Sequence, residues 1–306
     1  MFATPFYAVA LNYPKEAASM EEYFAKLDAL PVTQTPSDNS STTWTYKNIS
    51  VTIPDIATER EARHTLLRYS NCLKGISAYL KIPFPHENLL ITFTLITGNA
   101  ENSDPAHALG NHIFYNALPS RFTSPFTLKE VPLKGQCPDP HEVTHTFVAK
   151  TPIDPLLNEG LAVYMESQKR SAATKQPYKK DTDWVQCDKS GFKLGPVSQE
   201  TTPYVTIAHE TVPQDFRLGQ LDYINTASCV WDYIDKKLGH KKFVKVIKKL
   251  KSFDSSFSCS EGTSLSLWSE NTLSMVIEPV IGEKKAELIT KRFGLKVGET
   301  QCAAGL

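Results

Sequence analysis

A chain of 306 residues has room for one large domain or for two modest lobes around a shared cleft. Its 33 basic and 33 acidic residues cancel to a formal net charge of zero, which leaves no global field to attract nucleic acid or an anionic membrane. Hydrophobic residues at 41% and charged residues at 22% are ordinary for a folded soluble protein, and no apolar run reaches the ~18 residues that span a bilayer. The opening Met1-Phe2-Ala3-Thr4-Pro5-Phe6-Tyr7 lacks the basic stretch and long apolar core of a secretory signal. The expectation is a cytoplasmic protein or the mature form of a secreted one. Six cysteines (72, 137, 187, 229, 259 and 302) form no C-x-x-C pair, and their even number fits three disulfides or six buried thiols equally. Asn39-Ser40-Ser41 and Asn48-Ile49-Ser50 fit the N-glycosylation pattern.

Residues 14–30 place Met20, Tyr23, Phe24, Leu27 and Leu30 at helical spacing, and Pro31 ends the run. The Pro-, Ser-, Thr- and Asn-rich residues 31–43 read as a surface loop. Trp44 to Ile53 is predicted as a strand. Thr58 to Leu80 is predicted as a long amphipathic helix with Leu66, Leu67, Leu73, Ile76 and Leu80 on its apolar side, ended before Pro83. Leu89 to Ile96 is the strongest strand signal and reads as buried. His112 to Asn116 is a shorter strand, expected to form a cleft edge that pairs with an extended peptide.

Asp139-Pro140 is a helix start, with a capping carboxylate and proline at the first helical position. That helix runs to about Lys150. Asp154-Pro155 repeats the signal for a second helix ending near Lys169, and the short Thr151-Pro152-Ile153 connection makes the two close neighbours. Residues 171–203 are polar and irregular. Helices are predicted at Leu221–Lys237, Lys241–Leu250, Ser264–Met275 and Lys284–Phe293. There is no internal repeat. The order predicts an α+β fold: a helix and polar loop over 1–43, a lobe of mixed sheet and helices over 44–170, and a mostly helical lobe over 171–306.

The chemistry lies in the helix pair. His141-Glu142-Val143-Thr144-His145 sets two imidazoles four residues apart, one turn along one helix face, where both can hold one metal ion. Glu142 beside them can act as a general base, and Glu159 in the next helix supplies a third ligand. Three protein ligands leave a coordination position open, the arrangement of catalytic rather than structural zinc. Zinc at such a site makes water acidic enough to ionise near neutral pH.

Asn158-Glu159-Gly160-Leu161-Ala162-Val163-Tyr164-Met165-Glu166 resembles the Asn-Glu-Gly-Phe-Ala-x-Tyr-x-Glu stretch of gluzincin metallopeptidases, the aminopeptidase-N and thermolysin-like clan. The resemblance implies a zincin-type lobe, a Zn2+ ion on His141, His145 and Glu159, and peptide or protein substrates cleaved with Glu142 as the base. Tyr223-Ile224-Asn225-Thr226-Ala227 is similar to the family's Tyr-x-x-Gly-Ala segment, which makes Tyr223 the candidate donor to the tetrahedral intermediate. Gly98-Asn99-Ala100-Glu101-Asn102 resembles the segment with which aminopeptidases bind the substrate amine, without its methionine. The similarity covers roughly residues 89–250. The chain departs from the family in a shorter interval between His145 and Glu159, in Pro140 directly before the motif, and in Thr226 where the family has glycine.

Among other residues, His209 is a weaker alternative to Tyr223, and Cys137 is either a disulfide or thiol or a neighbour of the metal. Lys236, Lys237, Lys241, Lys242, Lys245, Lys248, Lys249 and Lys251 read as a solvated basic face or as a surface for an acidic partner. A second function class stays open: a binding or scaffold protein built on the gluzincin fold with a vestigial site.

Overall fold

The computed structural model describes residues 20–37, 40–55, 57–95, 106–117, 137–148, 155–174, 204–207, 210–213, 227–252, 257–259, 268–269, 272–293, 297–298 and 302–304. These residues form an α+β structure with a mixed sheet. The chain divides into two compact units, one of Met1–Ala100, Asn111–Val143 and Glu166–Pro177, the other of Glu101–Gly110, Thr144–Met165 and Tyr178–Leu306.

The central sheet has six strands: β1 (Thr33–Ser37), β2 (Ser41–Tyr46), β3 (Ile49–Pro54), β4 (Leu89–Leu95), β5 (Ala106–Leu109) and β6 (His112–Ala117), in the order β1-β2-β3-β4-β6-β5. β1, β2 and β3 pair antiparallel, whereas β3, β4 and β6 run parallel. Val51, Ile91 and Ile113 sit in one cross-strand row and are all buried, so β-branched side chains fill the middle of the sheet.

The parallel step from β3 to β4 needs a crossover, and α2 (Glu59–Leu80) provides it. Its start is a capping box: Thr58 N–H donates to Glu61 Oε2 at 2.7 Å, and Glu61 N–H donates to Thr58 Oγ1 at 3.3 Å. Lys81 in the left-handed region (φ 56°) ends the helix before Pro83. Leu66, Tyr69, Leu73, Ile76 and Leu80 form its buried face, which packs on β2 and β3. Helix α1 (Met20–Asp28) adds Tyr23 and Leu27 to a small cluster with Phe24, Leu30 and Leu67. Tyr23 Oη lies 2.5 Å from His64 Nδ1, and burial, with Arg68 nearby, lowers the His64 pKa to about 4.

The metal-motif helices are α3 (Pro140–Val148) and α4 (Pro155–Thr174). In the second unit, α5 (227–232) continues into a π-helical turn, Tyr233–Lys237, followed by α6 (His240–Lys251). α6 buries Phe243, Val244, Val246, Ile247 and Leu250, leaving Lys241, Lys245 and Lys248 exposed. Further on come α7 (Glu278–Ile281) and α8 (Glu283–Phe293). No described helix is long and apolar enough to cross a membrane.

Four expectations change. The single strand at Trp44–Ile53 is a hairpin, because Lys47 takes a left-handed conformation (φ 55°) between β2 and β3. A turn without glycine or proline is hidden inside a continuous β-forming run. The loop at 31–43 contains β1, a fully exposed outer strand where Pro36 costs no interior ladder bond. The strand His112–Asn116 is β6, flanked by β4 and β5, so it is not an edge available to a peptide; β5 holds that position. Among the described residues of the predicted helix Ser264–Met275, Trp268–Ser269 is a short strand pairing with Val297–Gly298, and the stretch from Thr272 is a π turn.

Candidate metal centre

α3 starts abruptly because two residues fix its first turn. Pro140 occupies the first helical position with its φ already set, and Asp139 Oδ1 accepts from Glu142 N–H at 3.0 Å. His141 and His145 then project one turn apart. The second helix, α4, has Pro155 as its first described residue and carries Asn158 and Glu159 in its first turns.

These helices bring three side chains together. One ligand atom from each of His141, His145 and Glu159 lies within 4.8 Å of the other two, and all three residues are half-buried. His145 Nε2 stands 3.3 Å from Glu159 Oε1. Two donors bonded to one tetrahedral ion at 2.0–2.2 Å lie about 3.3–3.6 Å apart, so this spacing suits a shared cation. The group can hold a metal ion. Glu142, only 9% exposed, is on the same turn of α3 as His141.

Neighbouring polar groups orient the imidazoles. Asn158 Oδ1 lies 3.1 Å from His145 Nδ1. A carbonyl oxygen only accepts, so this contact suits a proton on Nδ1 and leaves Nε2, the nitrogen beside Glu159, able to bind a cation. Glu166, seven residues beyond Glu159 on α4, places Oε2 3.9 Å from His141 Nδ1. That distance is electrostatic proximity rather than a hydrogen bond.

Within the second unit, the first part of α4 is fastened at two points. Trp231 Nε1 donates to the Leu157 carbonyl at 2.9 Å, and Tyr164 donates its hydroxyl proton to Asp235 Oδ2 at 2.7 Å. The other oxygen of Asp235 is 2.9 Å from His240 Nδ1. Between these ties Gly160 meets α5: a Cβ there would stand 2.3 Å from Ala227 Cβ and 2.8 Å from Ser228 N. Only glycine allows this approach, and Glu159 is its neighbour. The glycine of Asn158-Glu159-Gly160 was the visible trace of that crossing, whereas Asp235 left no local signal.

Of the other candidates, Cys137 is joined to Cys72, so its thiol is not a metal ligand, and Cys229 is also disulfide-bonded. Tyr223, His209 and the segment Gly98–Asn102 lie outside the described residues. No known family model and no curated protein matches the chain.

Proposed function

We propose that this chain is a zinc-dependent peptidase of gluzincin type, with a zincin-type lobe around α3 and α4. The observation that carries this reading is the convergence of His141, His145 and Glu159 within 4.8 Å, with Glu142 one residue from the first ligand. Two imidazoles and a carboxylate form a nitrogen–oxygen set suited to zinc, and three protein ligands, the number found among the described residues, would leave a coordination position for solvent or substrate. Bound there, zinc supplies Lewis acidity toward a carbonyl and makes water a stronger acid.

The protein's own groups do the rest. Glu142 accepts the proton that the attacking water loses and returns it to the departing amine nitrogen, so the peptide bond ends as a carboxylate and an amine. Asn158 holds the His145 ring in its ligating tautomer. Tyr223 donates a hydrogen bond to the oxyanion, a contribution of roughly 3–4 kcal/mol when a preorganised donor is lost. The disulfides at Cys72–Cys137 and at Cys229 favour an oxidising compartment, and with it a secreted or lumenal peptidase.

The deciding experiment is unbiased mass-spectrometric profiling of a peptide library with wild type and Glu142→Gln, each with and without chelator. Cleavage by wild type that both chelator and the substitution abolish supports the peptidase. Equal inertness of both proteins, with zinc bound, moves the chain to the binding or scaffold class.

A further inference from the structure

The first turn of α3 carries His141 and Glu142, and the N–H groups of a helix's first turn have no partners within the helix. The Asp139 carboxylate serves that turn. Asp139 Oδ1 accepts from Glu142 N–H at 3.0 Å, and Oδ2 accepts from the Tyr115 hydroxyl at 2.8 Å. Tyr69 Oη is 2.5 Å from Tyr115 Oη. A phenol has one proton, and Tyr115 has committed its own to Asp139, so Tyr69 is the donor in that second bond. Burial, the largest cause, together with the Asp139 charge, pushes both phenols well above their ordinary range, so neither ionises at physiological pH.

The anchor of this chain is rigid. Tyr115 belongs to β6 inside the six-stranded sheet, and its ring stacks on Phe93 of β4 with centroids 4.7 Å apart and planes at 11°. Tyr69 belongs to α2, and three residues later, on the same helix face, Cys72 is joined to Cys137. The start of α3 is therefore tied to α2 covalently at Cys137 and to the sheet by hydrogen bonds at Asp139. The two ties do different things. A disulfide two residues before the cap limits where the chain passes, and only the hydroxyl sets the rotation of the carboxylate that caps Glu142.

We propose that Tyr115 is a positioning residue of the metal centre: through Asp139 it holds the first turn of α3 so that His141 and Glu142 meet the ion in register, and Tyr69 orients its hydroxyl. This rests on α3 being the metal helix, as the proposed function requires. Packing alone does not need the hydroxyl, because phenylalanine at 115 keeps the ring stack on Phe93.

The test uses the full chain with Tyr115→Phe and Tyr69→Phe. Three readouts are taken: zinc affinity by chelator competition, the visible spectrum of the Co2+-loaded protein, and hydrogen exchange at the Glu142 amide. Tyr115→Phe is expected to weaken zinc binding about tenfold or more, in the range found for partners of metal ligands. It also shifts the Co2+ bands and speeds exchange at Glu142. Where peptide cleavage is measurable, kcat falls more than KM rises. Tyr69→Phe keeps the bond to Asp139 and gives a smaller change in the same direction; it carries the test if Tyr115→Phe does not fold. Wild-type affinity with an unshifted Co2+ spectrum in the folded variants overturns the inference and leaves the peptidase reading intact. Wild type that takes up no ion overturns both.

Discussion

Asn158 Oδ1 lies 3.1 Å from Nδ1 of His145, whose other ring nitrogen, Nε2, stands 3.3 Å from Glu159 Oε1. Asn158 and His145 are 13 apart in sequence and come from successive helices, α3 and α4. Removing the acceptor frees the ring to rotate and to change tautomer. Asn158→Ala is predicted to lose about 10- to 100-fold in zinc affinity with little change in fold. Asn158→Asp, which keeps an acceptor in place, is predicted to retain most of it. Competition against a chromogenic chelator measures both.

Gly160 makes a steric prediction. A methyl group at this position would stand 2.3 Å from Ala227 Cβ, and backbone atoms of Ala227 and Ser228 lie just beyond, so no side-chain rotation relieves the contact. Gly160→Ala should therefore push α4 away from α5, costing about 1–3 kcal/mol as overpacking does. It should also move Glu159 and weaken the ion's third ligand. Urea unfolding of the metal-free protein gives the first effect and chelator competition gives the second. Ordinary stability with ordinary affinity would show that the crossing is looser than described.

His64 governs an acid limb of stability. Its pKa in the folded protein is lowered to about 4, chiefly by burial and then by Arg68, against 6.5 in the unfolded chain. A lowered folded pKa means the unfolded state binds the proton first. The contribution is complete above pH 6.5 and is lost as pH falls toward 4. At pH 5 the loss is about 2 kcal/mol relative to neutral pH. Replacing His64 with Gln should flatten the decline in urea-unfolding free energy between pH 7 and pH 5. An unchanged slope would place the sensitivity elsewhere.

The Cys72–Cys137 bridge joins positions 65 apart. By chain entropy, a closed loop of that length stabilises by roughly 4 kcal/mol. The double substitution of both cysteines by serine is predicted to lower stability by that order, seen in denaturant unfolding. It should also weaken zinc binding, because the bridge ends two residues before the Asp139 cap.

Much of this was legible in local sequence. The caps at Thr58 and Asp139, the prolines at 140 and 155, and the period of α2 and α6 all act within one or two helical turns, and each left its mark. The grouping of His141, His145 and Glu159 was legible because a shared metal would impose a fixed spacing within α3 and a motif within α4. What stayed hidden depends on distant residues. The turn at Lys47 lies in an unbroken β-forming run, and β1 is strand only because β2 pairs with it. The flanking of β6 by β5 is set by sheet order, which no short window contains. Tyr69, Tyr115 and Asp235 act on the helices of the site from 24 or more residues away, as the separations of their bonds to Asp139 and Tyr164 and to one another indicate.

The central claim, that His141, His145 and Glu159 together hold one catalytic-type ion, is tested most directly by metal stoichiometry. Purified protein is saturated with zinc and desalted, and the metal is counted by mass spectrometry for wild type and for His141→Ala, His145→Ala and Glu159→Ala. The prediction is one tightly held zinc per wild-type chain and its loss, or weakening by orders of magnitude, in each single variant that stays folded. Wild type without zinc, or three variants that all keep it as wild type does, would contradict the claim.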